Sequence, residues 1–281
     1  MDSKILDGKS LAREIRNDIS KKVNELKEKA GITPGLAVVI VGEDPASQSY
    51  VRMKEKACIE ANFYSEVHRC KESITQDELL GLIHELNHNP KIHGILVQLP
   101  LPKHLDEKII NENIVPSKDV DGFSPVNFGN LFLKQPGFVP CTPKGIIRLL
   151  KHYGIQLEGK NVVVVGRSDI VGKPTAALFL HENATITLCH SKTKDLSKHT
   201  KEADILVSAV GKANFISGDM IKEGAIVIDA GTNKVGDQLV GDVDFEAAYD
   251  KAERITPVPG GVGPMTIAML LENTLEAVNK R

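Results

Sequence analysis

Tryptophan is missing from these 281 residues, and only eight phenylalanines and four tyrosines make up the aromatic count. So few flat rings leave little on which to stack bases, which excludes a single-strand nucleic-acid platform. A surplus of either charge is missing too: 35 basic side chains face 37 acidic ones, for a net charge of −2. That balance argues against a general electrostatic grip on nucleic acid or on an anionic membrane. No apolar run approaches the roughly 18 residues of a membrane span, and even Gly94–Pro102 is interrupted by Gln98 and two prolines. The start, Met1-Asp-Ser-Lys-Ile-Leu-Asp7, has acids where a signal or transit peptide carries bases and then an apolar run, so a cytoplasmic location is expected. Cysteine is sparse. Cys58, Cys70, Cys141 and Cys189 form no CxxC and no metal-ligand spacing, and are expected to be reduced and partly buried.

What is present is an ordinary globular balance, 41% hydrophobic and 26% charged, at a length that suggests about two domains. Leu11, Ile15, Ile19, Val23 and Leu26 recur at helical spacing, so a helix is expected over about Ser10–Ala30. A short buried strand follows at Leu36–Val41. The polar loop Glu43–Ser47 leads to a helix ending near Ala61, then a strand near Ser65–Arg69. Thr75-Gln-Asp-Glu78 fits a capping box opening a helix that Asn89-Pro90 stops, and Gly94–Gln98 is another apolar strand. Pro116–Pro140 reads as a loop-rich interval and holds the expected domain boundary, with domains at 1–122 and 123–281. Thr142-Pro143 looks like an N-cap and first-turn proline. Beyond it, strands at Asn161–Val165, Thr185–Cys189, Ile205–Ser208 and Ala225–Asp229 and helices at Lys173–His181 and Met265–Asn279 predict a parallel sheet covered on both faces.

His84-Glu-Leu-Asn-His88 matches the HExxH pattern of zinc peptidases. Its histidines share a helix face with Asp77 and Gly81 while Leu79, Ile83 and Leu86 face elsewhere. No third ligand is indicated, so both are expected at the surface and no metal is assigned. Gly166-Arg-Ser168, after an all-valine strand and before a helix, sits where backbone amides favour a phosphate, although Arg-Ser stands where GxGxxG has its second glycine. A site for NAD usually ends its second strand in an acid that bonds the ribose; here that strand ends Cys189-His-Ser191-Lys-Thr193. Arg167 and Ser191 suit a 2′-phosphate instead, favouring NADP. Tyr50 and Lys54 lie one turn apart on one helix face, and Gln98 closes a parallel strand, where open α/β sheets bind ligands. Asp119 and Asp121 flank an ordinary Asp-Gly turn. Read alone, these motifs leave open an NADP-dependent oxidoreductase, a zinc hydrolase and a catalytically silent nucleotide-binding protein.

Taken together and in order, Glu43–Ser47 with Tyr50 and Lys54, Val97–Pro102, Lys118–Gly122 and Pro140–Pro143 resemble one family. So do Gly166–Ser168 with Val171-Gly172 and Pro174, Asp229-Ala-Gly231, Gly241–Asp244 and Pro257–Thr266. It is the bifunctional methylenetetrahydrofolate dehydrogenase/methenyltetrahydrofolate cyclohydrolase family. The resemblance implies two α/β domains around a cleft, the C-terminal one a Rossmann-like doubly wound parallel sheet. It also implies a last helix, about 265–281, returning to the first domain, and a homodimer. By it, Lys54 is the cyclohydrolase lysine, Tyr50, Gln98 and Asp121 complete the folate site, and Pro259, Gly260 and Gly261 touch the substrate. Gly166, Arg167, Ser168, Ser191 and Thr232 would bind NADP, with Thr232 standing where relatives often carry an apolar residue.

Overall fold

Apolar residues one helical turn apart near the start build helix α1, Gly8–Ala30, in a computed structural model that describes residues 3–279. Leu11, Ile15, Ile19 and Val23 are all buried along it. Asp7 caps it, accepting from the Ser10 amide at 3.0 Å, and the two bonds from Ser10 hold the Asp7 carboxyl below its usual range. Met1 and Asp2 of the expected leaderless start, and Lys280 and Arg281 of the expected last helix, lie outside the described residues.

Next come β1 (Gly35–Val41), α2 (Pro45–Glu60), β2 (Tyr64–Cys70), α3 (Gln76–His88), β3 (Gly94–Val97), α4 (Glu107–Glu112) and α5 (Pro125–Phe132). The three strands form a parallel sheet in the order β2-β1-β3, with Val38 in register with Val67 on one side and Leu96 on the other. All seven residues of β1 are buried, as a central strand covered on both faces requires. The core under it joins Val39, Ile83, Ile95 and Ile110. Helix α3 opens with the expected capping box, Thr75 and Glu78 satisfying each other's backbone amides.

The chain continues through α6 (Cys141–His152), β4 (Asn161–Val165), α7 (Gly172–His181), β5 (Thr185–Cys189), α8 (Leu196–Thr200) and β6 (Ile205–Ser208). After these come β7 (Ile226–Asp229), a hairpin of β8 (Asn233–Val235) and β9 (Gln238–Val240), α9 (Phe245–Lys251), β10 (Arg254–Ile255) and α10 (Val262–Asn279). Five parallel strands lie in the order β10-β7-β6-β4-β5. The chain steps from β4 outward to β5 and returns to the other side of β4 as β6, so strand order reverses between β4 and β6. Outside the carboxyl ends of those strands is where a doubly wound sheet takes its ligand.

Two compact units divide the chain. One holds the residues up to Arg13 with Pro140–Met269; the other holds Glu14–Val139 with the chain from Leu270 onward. Residues 123–139, expected with the C-terminal domain, group with the three-stranded sheet, where Asn127 donates to the Pro116 carbonyl and the Asp119 carboxylate and accepts from the Phe138 amide. Residues up to Arg13 group with the five-stranded sheet, which Ile5 extends by a parallel bridge to Ile255.

Several expectations need correcting. The loop-rich stretch 116–140 also holds a helix that was not expected: Ser124 caps α5 and Pro125 opens it. Thr142 is not an N-cap, since α6 already begins at Cys141 with no side-chain cap; its hydroxyl lies 2.9 Å from that of Thr266. Helices α4, α8 and α9 and the β8–β9 hairpin are too short to carry a periodic signal and were not expected.

Candidate functional site

Helix α2 begins inside the polar loop that precedes it. Asp44 accepts from the Ser47 amide at 2.8 Å and Pro45 takes the first turn, where its missing N–H costs nothing. That start places Tyr50 and Lys54, both half-buried, on one face. Lys54 Nζ donates to Gln98 Oε1 at 2.9 Å. Gln98 sits just past β3, with its amide N–H on the Val39 carbonyl oxygen at 2.8 Å and its Nε2 on the Leu99 carbonyl oxygen at 2.7 Å. With Nε2 committed to the main chain, the side-chain oxygen is the end left to face the lysine. One turn beyond Lys54, burial pushes the Cys58 thiol up to about 12, so it stays protonated at neutral pH.

Asp121 arrives by another route. Lys118 and Asp119 run beside β3, the Ile95 amide bonding the Lys118 carbonyl at 2.8 Å. Asp119 is buried, and its carboxylate accepts from the amides of Gly122, Phe123 and Ser124 and from Asn127 Nδ2, at 2.8–3.1 Å. Asn273 on α10 donates to the Val120 carbonyl at 2.8 Å from the other side. Half-buried Asp121 therefore stands on a turn fixed on both flanks, beside the strand that ends in Gln98.

The dinucleotide candidates gather at the carboxyl edge of the five-stranded sheet. Val165 and Cys189 end paired strands in register, so the segments Gly166–Ser168 and His190–Thr193 start side by side. Gly166 has φ +122°, and a Cβ there would lie 2.1 Å from the Ala209 carbonyl oxygen, so only glycine lets this turn rest on the loop after β6. Arg167 and Ser191 are exposed. Ser168 Oγ accepts from the amides of Val171 and Gly172 at 3.2 and 3.3 Å, which uses the hydroxyl to cap α7. Thr232, exposed, leaves the end of β7. The Pro259–Gly261 turn follows β10, with Gly260 accepting from the Lys9 amide at 2.8 Å and Gly261 donating to the Pro257 carbonyl oxygen at 2.8 Å. No acid stands at the end of β5, and the exposed guanidinium of Arg167 faces no side-chain partner among the described residues. A phosphorylated ribose suits that edge better than a free one.

Two buried acids, visible in the sequence only as parts of motifs, shape this edge. Asp229 accepts from the amides of Gly231, Asp242 and Val243 at 2.8–3.0 Å. Asp242 accepts from three more amides and from Asn233. A Cβ on Gly241 would lie 1.8 Å from Asp229 Oδ2, and one on Gly231 2.1 Å from Asp242 Oδ1. The spacing of glycine and aspartate in 229–231 and 241–244 is the signal that reports this packing. His84 and His88 are exposed, with Leu79, Ile83 and Leu86 buried on the opposite face of α3. Among the described residues no three His, Cys, Asp or Glu side chains gather as metal ligands, and no helix is long and apolar enough to cross a membrane.

Known proteins match the chain in two consecutive domains. Residues 6–121 match the tetrahydrofolate dehydrogenase/cyclohydrolase catalytic domain, and residues 140–281 match the NAD(P)-binding domain of the same family. The bifunctional protein FolD of Moorella thermoacetica is 60% identical over 281 residues, all of both chains. The crystal structure of the FolD methylenetetrahydrofolate dehydrogenase/cyclohydrolase of Campylobacter jejuni superposes with a TM-score of 0.96 at 53% identity, covering 99% of each chain. The Trypanosoma brucei FolD, solved in complex with NADP cofactor and an inhibitor, gives 0.95 at 41% identity, covering 98% of this chain and 97% of that one. Matched in order by both domains, and by full-length relatives at this level of identity, the chain belongs to the tetrahydrofolate dehydrogenase/cyclohydrolase family.

Proposed function

We propose that the chain oxidises 5,10-methylenetetrahydrofolate to 5,10-methenyltetrahydrofolate with NADP⁺ and then hydrolyses the methenyl product to 10-formyltetrahydrofolate. The observation that carries this reading is the 2.9 Å bond from Lys54 Nζ to Gln98 Oε1, beside Tyr50 and at the carboxyl end of a parallel strand. Water addition to a cationic methenyl carbon needs a proton acceptor. A cationic substrate beside the amine favours its neutral form, and neutral Lys54 can take the proton from the attacking water. The carbon–N5 bond then breaks, leaving the formyl group on N10 and a proton on N5. Gln98, itself oriented by the Leu99 carbonyl, holds the amine in place. Tyr50 packs on and orients the folate rings, and Asp121 accepts from the pterin's adjacent N–H groups, as a carboxylate can take two parallel bonds.

NADP⁺ supplies the hydride acceptor when bound. Arg167 and Ser191 hold the 2′-phosphate, while the turn Gly166–Ser168 and Thr232 line the rest of the dinucleotide. The folate nitrogens stabilise the cation that forms, so hydride transfer asks the chain for alignment and not for a base. Pro259, Gly260 and Gly261 complete the substrate contacts. In this reading the unit built on the three-stranded sheet is the folate domain and the unit built on the five-stranded sheet the NADP domain, and the protein works as a cytoplasmic homodimer on a small-molecule folate, without nucleic acid or membrane. Support for the homodimer comes from the family resemblance, and sedimentation velocity tests it.

Absorbance of the methenyl compound decides the main proposal. With methylenetetrahydrofolate and NADP⁺, the signal is expected to rise and then decay faster than in an enzyme-free control. With NAD⁺ it is expected to rise far more slowly. No NADP⁺-dependent rise would refute the dehydrogenase, and decay at the uncatalysed rate would refute the cyclohydrolase.

A further inference from the structure

Asp242 is fully buried, and its carboxylate takes five hydrogen bonds, none of them from a lysine or arginine side chain. Oδ2 accepts from the amides of Val210 at 2.6 Å and Gly211 at 3.1 Å and from Ser208 Oγ at 3.3 Å. Oδ1 accepts from the Lys212 amide and from Asn233 Nδ2, both at 3.0 Å. Three successive main-chain amides converging on one anion form a nest, here closed by the protein's own acid. Gly211, at φ +72°, gives the loop the left-handed residue that such a curl needs.

Two segments of the candidate dinucleotide site depend on this arrangement. Ala209, whose carbonyl oxygen is the surface on which Gly166 rests, is the residue just before the three captured amides. Asn233, held by Oδ1, is the residue just after Thr232. We infer that Asp242 is a positioning residue for the dinucleotide: it fixes the loop after β6 against the turn after β4 and fixes the exit of β7, without itself touching the ligand. The inference rests on the proposal that these loops hold NADP⁺. Hydrolysis of the methenyl compound needs no dinucleotide, so this role separates the two activities.

The experiment compares wild type, Asp242→Asn and Arg167→Ala as full-length proteins. It measures KM and kcat for NADP⁺ in the dehydrogenase reaction, cyclohydrolase activity without NADP⁺, and Tm. Asp242→Asn keeps the shape but turns one acceptor into a donor facing N–H groups. The KM for NADP⁺ is expected to rise about tenfold or more, kcat to change less than about threefold, and cyclohydrolase to hold at temperatures where the variant is folded. An unchanged KM with a lowered Tm would make Asp242 purely structural and overturn the inference, as would equal losses in both activities. If Asp242→Asn does not fold, Asn233→Ala takes its place. It removes one donor, leaves the acid, and is expected to raise the KM about threefold; no rise overturns the inference. Arg167→Ala distinguishes the two levels. If it too leaves the KM unchanged, the placement of NADP⁺ has failed, whereas a raised KM there beside an unchanged one in Asp242→Asn refutes the positioning role alone.

Discussion

At the carboxyl end of β3 a glutamine and a lysine bond each other, whereas at the carboxyl ends of β4 and β7 Ser168 and Asp229 turn back onto their own main chain, and after β6 the loop amides are taken by Asp242 from beyond β9. The first arrangement presents a functional group, an amine held against a glutamine. The second presents a shape, with loops held by buried acids so that the exposed residues between them face outward. A site of the first kind fails when its chemistry is removed. A site of the second kind fails when its shape relaxes or when an outward charge is lost.

The sharpest break in that contrast comes at Lys54. Lys54→Met keeps much of the side-chain volume and removes the amine, so cyclohydrolase activity is expected to fall by about 10²–10⁴, the usual cost of losing a general base. Dehydrogenase activity survives in part, and methenyltetrahydrofolate accumulates when the mutant is given methylenetetrahydrofolate and NADP⁺. Full hydrolysis by the mutant, after subtracting the enzyme-free rate, would move the base elsewhere. Arg167→Ala is expected to be milder and confined to the other region. Loss of a charge-assisted phosphate contact weakens NADP⁺ by about 10- to 100-fold and leaves NAD⁺ nearly unaffected. Equal weakening of both cofactors would remove Arg167 from the 2′-phosphate.

A smaller effect follows from the buried acids. Burial pushes the Asp229 carboxyl up to about 6, with the nearby Asp242 adding to the rise and three backbone amides opposing it. A folded-state pKa above the ordinary 3.8 means the fold favours the protonated acid, so the stability this proton adds is lost as pH climbs from about 4 to 6. Asp204 runs the other way: Lys222 and the Asn161 amide hold it low, so its contribution is present at neutral pH and lost on acidification. The Tm of wild type minus that of Asp229→Asn is expected to decline between pH 4 and 6 and then level; a rising difference would contradict the assigned direction. Smallest of all, His84→Ala with His88→Ala is expected to leave both activities and the metal content unchanged. Stoichiometric zinc in the wild type that the double mutant loses would reopen the HExxH reading.

Strands of the five-stranded sheet were legible almost to the residue. Asn161–Val165 and Ile205–Ser208 carry their expected bounds because strands covered on both faces must be continuously apolar, and the edge strand Thr185–Cys189 carries its own although only Cys189 in it is buried. Helices of five to eight residues were not legible, since two turns hold too few apolar positions to show a period; Ser124-Pro125 before α5 was the one usable signal. In the candidate site, Tyr50 and Lys54 could be paired by helical spacing, but the meeting of Lys54 with Gln98 depends on which elements become neighbours. Asp119, Asp229 and Asp242 were harder still. An aspartate in a turn looks alike in sequence whether it faces water or is buried under several N–H donors, and for Asp229 and Asp242 it is the close approach of Gly241 and Gly231 that separates the cases.

The division of the chain also bears on how the protein is made. Ile5 bridges Ile255, and the Val120 carbonyl beside Asp121 waits for Asn273, so each compact unit joins an early segment to a late one. During synthesis neither unit can close as soon as its longest stretch has emerged, unlike domains that fold one after another as they leave the ribosome. Both reach completion only with the last helix. A nascent chain stopped after Val139 would hold β1, β2 and β3 and the lysine–glutamine pair, yet would lack the asparagine that fixes the turn carrying Asp121.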